Sequence, residues 1–258
     1  MEGLRLFAPL GIPAIRQGDD LAILITTAIE EHGETLQPGD IIVIAQKIVS
    51  KQEGRLLCLS EITPSHKAVS LAAASGKDPR FIEAILMESD NVLRAVSRPP
   101  HGTIITRHHH GWICANAGID QSNLDCDEAD NMVLLLPVDP DASARKLQAA
   151  LEARYGGTLG VIISDTFGRP FRKGLVNVAI GVASVPVLVH MVGEHDAYGR
   201  MLRATRPALA DELAAASGLL MTKAGRTPVV VVRGLDWRPV QDARARDIVR
   251  PDEKELFL

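Results

Sequence analysis

The fold is decided by an apolar run that ends in polar residues, VIISDT at positions 161–166. β-Branched residues open this run, which favours a β-strand. Asp165 and Thr166 follow the run directly and precede a stretch that contains Gly168. We therefore predict a strand over 159–164, then a turn, with a carboxylate and a hydroxyl presented at the carboxyl end of the strand.

Other segments carry the same kind of signal. Apolar, β-branched runs predict further strands at 41–45, 132–136, 186–190 and 228–232, and a hairpin formed by 103–106 and 111–114. Acidic caps and helical spacing predict helices after Asp19 and Asp20, and at 81–88, 139–155 and 208–217. Strands and helices alternate irregularly and no repeat is visible. We expect an α+β fold with mixed sheets rather than a regular doubly wound sheet.

Composition excludes several classes of function. The 258 residues are 3% aromatic and carry a formal net charge of −4, so neither stacking platforms nor a basic footprint for nucleic acid is present. Three cysteines without a CxxC pair do not form a cysteine-rich zinc site. The N-terminus lacks a secretion signal and the apolar runs are too short to cross a membrane, which predicts a cytoplasmic protein.

Domain organisation is less clearly marked. We expect a single domain over 1–258, with a weak candidate for a subdomain boundary at 99–102. The tail beyond Arg238 is rich in charges and is predicted to form a peripheral arm.

The strongest candidate for chemistry is the stretch SDTFGRPFR at 164–172. Asp165 and Thr166 supply the oxygen ligands that Mg²⁺ prefers, and Arg169, Arg172 and Lys173 could offset phosphate charge or hold a carboxylate. The alternative is a helix-capping aspartate beside arginines on a solvated face. The pattern alone leaves these two interpretations equally open.

Three weaker candidates follow. A loop of small and polar residues at 114–123 contains Asp120, which could share a metal with Asp165 or merely form an Asx turn. Lysines at 46–51 could bind phosphates, although surface lysines usually do not. The apolar stretch at 11–15 carries no chemical group of its own and could only form part of the wall of a pocket. Three consecutive histidines at 108–110 cannot readily converge on one metal, because adjacent strand residues point to opposite faces.

Several absent motifs narrow the choice. No GxxxxGK[ST] and no GxGxxG after a strand is found, which excludes a P-loop enzyme and a dinucleotide fingerprint. The nucleophile elbow GxSxG is also absent, which disfavours an α/β-hydrolase.

Taken together, separated motifs resemble those of the coenzyme F420-0:L-glutamate ligases, also called F420 gamma-glutamyl ligases. The resemblance extends from about Leu10 to Gly234 and rests on six stretches, at 11–13, 16–20, 46–55, 115–123, 135–144 and 164–181. It implies a ligase fold that is specific to this family, and it implies an intertwined homodimer. Some bacterial members of the family continue into a C-terminal reductase-like domain, and we expect none here because the sequence ends at Leu258.

The resemblance also implies a set of site residues. Two divalent cations, Mg²⁺ or Mn²⁺, are expected, with Asp120 and Asp165 as ligands of the first and Thr166 as a ligand of the second. GTP contacts are expected at Ile12, Pro13, Ala14, Ile15, Gln46, Lys51, Asn123 and Lys223. Family members read roughly MGQxxEGxP where this chain has MTKAGRTP at 221–228. Because a cation cannot ligate a cation, Lys223 and Arg226 put the second metal site or the nucleotide pocket in question.

The reaction implied is GTP-dependent ligation of L-glutamate to the side-chain carboxylate of F420-0 through an acyl phosphate. Two alternatives stay open at this point. One is a relative that binds deazaflavin or nucleotide without ligating, and the other is a metal-dependent phosphotransferase or phosphatase that uses the same aspartates.

Overall fold

The computed structural model describes residues 3–97, 102–122, 131–222 and 225–254. Within them the chain forms an α+β fold with mixed sheets, as predicted. The strands are β1 (Arg5–Phe7), β2 (Ile41–Ala45), β3 (Leu56–Cys58), β4 (Ser89–Val96), β5 (Thr103–His108), β6 (Ile113–Ala115), β7 (Met132–Leu134), β8 (Gly160–Arg169), β9 (Arg172–Ala183) and β10 (Val229–Arg233). The helices are α1 (Leu21–Glu31), α2 (Gln46–Gln52), α3 (His66–Ser75), α4 (Pro79–Met87), α5 (Pro140–Tyr155) and α6 (Leu209–Ser217).

The main sheet has five strands in the order β1-β10-β2-β8-β9. At its centre β2 and β8 run parallel, with Ala45 opposite Ser164. Every residue of the run 41–44 is fully buried, which explains why these strands consist of uninterrupted β-branched residues. Since parallel strands end at the same edge, the residues that follow Ala45 and Ser164 meet at one place.

The predicted turn after Ser164 is wrong, because β8 continues through Asp165 to Arg169 and then turns back as β9. Asp165 pairs with Val178 and Thr166 with Asn177 in this long hairpin. Asp165 is therefore not a helix cap. The sequence hides β9 because its first half is exposed and it contains Gly174 and Gly181, so it lacks the apolar run that marks the other strands.

The structure confirms, to within two residues at each end, the strands predicted at 41–45, 132–136 and 228–232. It also confirms the hairpin predicted over 103–114. The strand predicted at 186–190 is wrong, because that segment is irregular. Val189 and Met191 each donate one backbone hydrogen bond to the segment 205–207, without a continuous ladder. The apolar residues there are explained by burial instead, since Val187 packs in the main core.

The predicted helices are confirmed with their caps. Asp20 accepts a hydrogen bond from the backbone of Ile23 at the start of α1, and Asp139 does the same from Ala142 at the start of α5. α2 and α3 were not predicted from the sequence. α2 follows β2 without a break and has no side-chain cap, so no local signal marks its beginning.

Two hydrophobic cores support the fold. The larger one surrounds the main sheet and includes residues from α1, α5 and α6, and the smaller one lies between α3, α4, β5 and β7. Residues 98–101, where most of the weak boundary was placed, lie outside the described part, and the single-domain expectation stays a prediction. No helix in the described residues is long and apolar enough to span a membrane.

The tail beyond Arg238 is not a peripheral arm throughout, because part of it packs on the main core. Ala243 and Ala245 are buried, and the backbone N–H of Ala245 donates to the carboxylate of Asp141 at 3.1 Å. The same carboxylate oxygen accepts from Val182 of β9 at 2.8 Å. Asp141 thus joins the start of α5 and the tail to the long hairpin.

Gly181 provides a test of this packing. A Cβ added at Gly181 would lie 2.5 Å from the backbone oxygen of Pro140, where α5 meets β9. We expect Gly181→Ala to lower the free energy of unfolding by about 1–3 kcal/mol, measured by urea denaturation, because backbone atoms would have to move. Gly3→Ala is the control, since nothing lies within 4 Å of its added Cβ. Equal stability of the two variants would contradict the packing described here.

Candidate functional site

A cavity of about 760 Å³ opens where β2 and β8 end. Its size falls in the range of pockets that bind small molecules and nucleotides. Its wall combines residues of the 12–15 segment, the start of α2, the loop after β6, the first half of the long hairpin and the segment 221–228, apart from the two residues there that lie outside the described part. The cavity brings together nine of the eleven predicted site residues at one edge of the sheet, and the other two lie outside the described residues.

Asp165 lies on β8 at the floor of the cavity. Burial raises the pKa of its carboxyl to about 7; the backbone N–H of Thr166 opposes this rise, and the nearby charge of Asp120 adds to it. The side chain is partly accessible to solvent from the cavity. A carboxylate that is held in this way, with its charge poorly compensated by the protein, is suited to bind a cation.

Thr166 is the next residue on the same strand, so its side chain points to the opposite face of the hairpin. Its hydroxyl donates to the side-chain oxygen of Asn177 across the strands at 3.1 Å. Both Asp165 and Thr166 line the cavity, because β8 has no neighbour on its other edge once β2 has ended at Ala45. The two oxygen-bearing side chains are therefore adjacent along the strand but point to opposite faces.

Asp120 reaches the cavity from a strained turn. Asn116, Ala117 and Gly118 all have left-handed backbone conformations, with φ of 53°, 54° and 69°. Asp120 then accepts a hydrogen bond from the backbone of Ser122 at 2.7 Å. The Asx turn considered from the sequence is therefore present, and the same carboxylate also lines the cavity.

Lys47 is the partner of Asp120. Its ammonium lies 2.6 Å from a carboxylate oxygen of Asp120 and donates to the hydroxyl of Ser122, also at 2.6 Å. Burial alone would raise the pKa of Asp120, but the hydrogen bonds from Lys47 and Ser122 outweigh it and hold that pKa below its ordinary value. Asp120 thus keeps its charge with a lysine beside it, whereas no lysine or arginine in the described part of the chain forms an ion pair with Asp165.

Gln46 lies between these groups at the beginning of α2 and is buried. The hydroxyl of Ser50 donates to its side-chain oxygen at 2.8 Å, which fixes the orientation of the amide. Its amide nitrogen Nε2 makes no hydrogen bond by geometry, although it lies near enough to Asp165 to help lower that pKa. Within the described residues this buried donor therefore has no hydrogen bond of good geometry, which leaves it available to a polar ligand in the cavity.

The nucleotide-contact residues predicted from the resemblance fall on two walls. Ile12 and Ile15 are buried in the main core, and Pro13 and Ala14 between them stay exposed. All four line the cavity, as does Lys51 from the other side. Asn123 and Lys223 lie outside the described residues, so their predicted roles stay predictions.

Other residues that the sequence singled out lie elsewhere. Arg169 donates to the backbone of Lys173 within the tip of the hairpin, and neither lines the cavity. His108 and His110 stack on each other with ring centres 4.7 Å apart, and His109 pairs with Asp90 on the surface. The histidines serve packing rather than the cavity.

Three residues of the cavity were missed or undervalued by sequence reasoning. Asn177 belongs to the unpredicted strand β9, and Phe167 follows Thr166 in the segment that was predicted as a turn. Cys114 also lines the cavity, where burial and the nearby Asp165 raise the pKa of its thiol to about 12. Such a thiol is not a nucleophile at neutral pH. The missed strand pairing was the only signal for Asn177.

The oxygen atoms at this edge fit divalent cations. Among the described residues, no three His, Cys, Asp or Glu side chains come together in a complete metal site. Mg²⁺ usually binds one or two carboxylates and completes its coordination with water and substrate phosphates. The side chains of Asp120, Asp165 and Thr166 are therefore of the types that bind Mg²⁺. The unpartnered nitrogen of Gln46 indicates in addition an anionic or polar ligand nearby.

This chain, with its mixed sheet and its open cavity lined by two aspartates, belongs to a family of ligases. Residues 9–234 match the sequence model described as F420-0:Gamma-glutamyl ligase, and the chain belongs to that family. It is 47% identical over 257 residues to the coenzyme F420:L-glutamate ligase of Methanothermobacter thermautotrophicus, which covers 99% of both chains. It is 45% identical to the enzyme of the same name from Methanopyrus kandleri over 94% of this chain and 93% of that protein.

The raised pKa of Asp165 gives a test that needs no substrate. Because the folded pKa of about 7 exceeds the ordinary value of 3.8, the unfolded chain ionises first and folding is penalised as pH rises from about 4 to about 7. We expect Asp165→Asn to stabilise the metal-free protein by about 2–4 kcal/mol at pH 8 and hardly at all at pH 4.

Urea denaturation in EDTA at both pH values measures this difference. Asp242→Asn, at an exposed position of the tail, is the control and should change stability little at either pH. A gain at Asp165→Asn that is equal at the two pH values would contradict the burial of this charge.

Proposed function

We propose that this protein ligates L-glutamate to F420-0, with GTP as the source of energy and two Mg²⁺ or Mn²⁺ ions. Membership of the F420-0:gamma-glutamyl ligase family and the similarity to named coenzyme F420:L-glutamate ligases support the reaction. The observation that carries the proposal to particular residues is the convergence of Asp120, Asp165 and Gln46 at the floor of one cavity.

In this proposal Asp120 and Asp165 would hold the first ion, and Thr166 would be a ligand of the second. The opposite orientation of Asp165 and Thr166 on β8 supports separate ions, since adjacent strand residues do not chelate one ion with their side chains. Bound divalent cations would offset the charge of the nucleotide phosphates and polarise the transferred phosphoryl group.

The protein's own groups bind and orient the nucleotide. Lys47 and Lys51 supply positive charge for phosphates, and the amide of Gln46 offers the donor that lacks a partner. Residues 12–15 present an apolar surface of the kind that packs against a base. Phosphoryl transfer to the acceptor carboxylate would then give an acyl phosphate, which the amine of glutamate attacks. Asn123 and Lys223 keep their proposed nucleotide contacts.

Mass spectrometry of the products tests this function. Purified protein, GTP, Mn²⁺, L-glutamate and F420-0 should give the glutamyl product, with dependence on both the metal and glutamate. Asp165→Asn should reduce product formation by at least about a thousandfold, because the amide cannot replace a carboxylate as an ion ligand. Asp242→Asn is the matched control and should retain full activity.

The outcomes separate the alternatives. Nucleotide or deazaflavin binding without any product would favour a binding relative, and phosphate release that does not depend on glutamate would favour a phosphatase. Retained turnover in Asp165→Asn would refute the role of this carboxylate.

We also propose that the protein is a homodimer that buries the tip of the β8–β9 hairpin. The tip extends from the core, with Leu175 64% exposed and Phe171 90% exposed. Large apolar side chains on a projecting hairpin are typical of a protein–protein contact. The hairpin carries Asp165 and Thr166 at its base, so a dimer would also hold the candidate site in place.

Leu175→Glu tests the dimer. We expect the wild-type protein to sediment as a dimer and the variant to shift to monomer at micromolar concentration, because a charge would be buried in the interface. Val69→Glu is the control, since Val69 is 53% exposed on α3, which packs on the smaller core rather than on the hairpin. A monomeric wild-type protein would refute the proposal.

A further inference from the structure

A second, smaller cavity of about 220 Å³ lies beside the one described above. It is enclosed by the end of β5 and the start of β6, by the long hairpin, by α6 and by the tail segment 248–252. This volume is below the range of nucleotide and drug-sized pockets, so an occupant must be about as small as an amino acid. The charged tail that the sequence predicted as a peripheral arm forms one of its walls.

The second cavity adjoins the reaction centre, meaning the part of the larger cavity around Asp120, Asp165 and Thr166, along one face of the hairpin. Phe167 lines both cavities. Asp165 and Phe167 occupy alternate positions of β8, so their side chains share a face, and Val178, the cross-strand partner of Asp165, lines the second cavity. The face that carries Asp165 therefore leads directly into the smaller cavity.

The charges of the second cavity are two cations and two anions in an otherwise apolar wall. Arg107 pairs with Asp252 at 2.6 Å, but Asp252 is 72% exposed. Arg250 makes no hydrogen bond or ion pair with any residue in the described part of the chain. Asp211 accepts from the backbone N–H of Ala179 at 2.9 Å through one oxygen, and its other oxygen has no partner among the described residues.

We propose that this cavity binds the amino-acid substrate, L-glutamate, with Arg107 and Arg250 on its two carboxylates and Asp211 on its α-ammonium group. The inference rests on the proposed function and names the place of one substrate. Two arginines and one aspartate complement the three charges of a dicarboxylic amino acid. A carboxylate of the substrate would replace Asp252 beside Arg107, which is easy because exposed ion pairs are weak.

The position of Asp211 suits the bond that must form. Ala179, to which Asp211 is hydrogen-bonded, lies opposite Ser164, the residue before Asp165. Because β9 is the edge strand of the main sheet, this N–H points away from β8, so Asp211 lies across β9 from Asp165 at the same level of the hairpin. An α-amine held there would reach the acyl group along the face that carries Val178. Burial raises the pKa of the Asp211 carboxyl, which makes it a better proton acceptor.

The chemical step balances with the groups named. The α-ammonium group first gives one proton to the carboxylate of Asp211, which leaves a neutral amine. The nitrogen lone pair then forms the C–N bond to the acyl carbon, and the C–O bond to phosphate breaks. Phosphate leaves with that electron pair and takes the second proton of the amine, so that an amide and hydrogen phosphate result.

Kinetics with variants of the second cavity test the inference. We expect Arg107→Gln and Arg250→Gln to raise KM for glutamate by at least about tenfold with KM for GTP unchanged, because each loses a charge-assisted hydrogen bond. Arg107→Lys should recover part of the loss. Arg244→Gln is the control, since Arg244 is an exposed arginine of the same tail that does not line the cavity.

Asp211→Asn should lower kcat for ligation, because the amide cannot accept the proton but keeps the oxygen that binds Ala179. Glu212→Gln, at the exposed neighbouring position of α6, is its control. Hydroxylamine supplies a nucleophile that needs no such base. Trapping of the acyl phosphate as a hydroxamate, with F420-0, GTP and Mn²⁺ but without glutamate, should therefore proceed at the wild-type rate in all four cavity variants.

The two proposals fail in different ways. If the wild-type protein forms no hydroxamate, the acyl-phosphate function itself is overturned. If hydroxamate forms but KM for glutamate and kcat are unchanged in Arg107→Gln, Arg250→Gln and Asp211→Asn, only the glutamate site is overturned. A loss of hydroxamate formation that equals the loss of ligation would also overturn it, since the variants would then have damaged the reaction centre.

Discussion

The parallel pairing of β2 with β8 is the constraint on which the candidate site depends. It sets Ala45 opposite Ser164, so that the residues after each strand are brought to the same edge of the main sheet. Gln46 and Lys47 come from one strand and Asp165 from the other. Four buried residues on β2 and five on β8 fix the register, because a shift by one position would expose apolar side chains. The geometry of the cavity floor therefore follows from packing in the core.

The two aspartates at the floor of the cavity differ in how far their charge is compensated. Asp120 is compensated by Lys47 and stays charged, whereas Asp165 lies in a poorly compensated position with its pKa raised to about 7. Burying a charge without a partner destabilises a fold, and such positions are concentrated at functional sites. A cation bound between the two aspartates would remove the penalty. The destabilisation by the buried Asp165 carboxylate and the proposed binding of a cation thus have the same physical origin.

The long hairpin connects the parts of the proposed reaction. Its base carries Asp165 and Thr166, one face continues into the second cavity, and its tip projects from the core with exposed apolar side chains. The start of α5 packs so closely on it that Gly181 has no room for a Cβ. In the proposed arrangement this one hairpin carries metal ligands, lines the amino-acid site and contacts the second subunit. A shift of the hairpin would therefore alter all three sites.

The sequence by itself determined the elements whose signals are local. β-Branched runs marked the central strands, and Asp20 and Asp139 marked the starts of α1 and α5, because side-chain caps and strand propensity act within a few residues. Separated motifs also indicated the family and pointed to Asp120 and Asp165. Only the tertiary structure decided that β8 continues past Asp165, that Lys47 lies against Asp120 and that the tail encloses a second cavity. These features depend on contacts between residues far apart in the chain, for which a local pattern carries no signal.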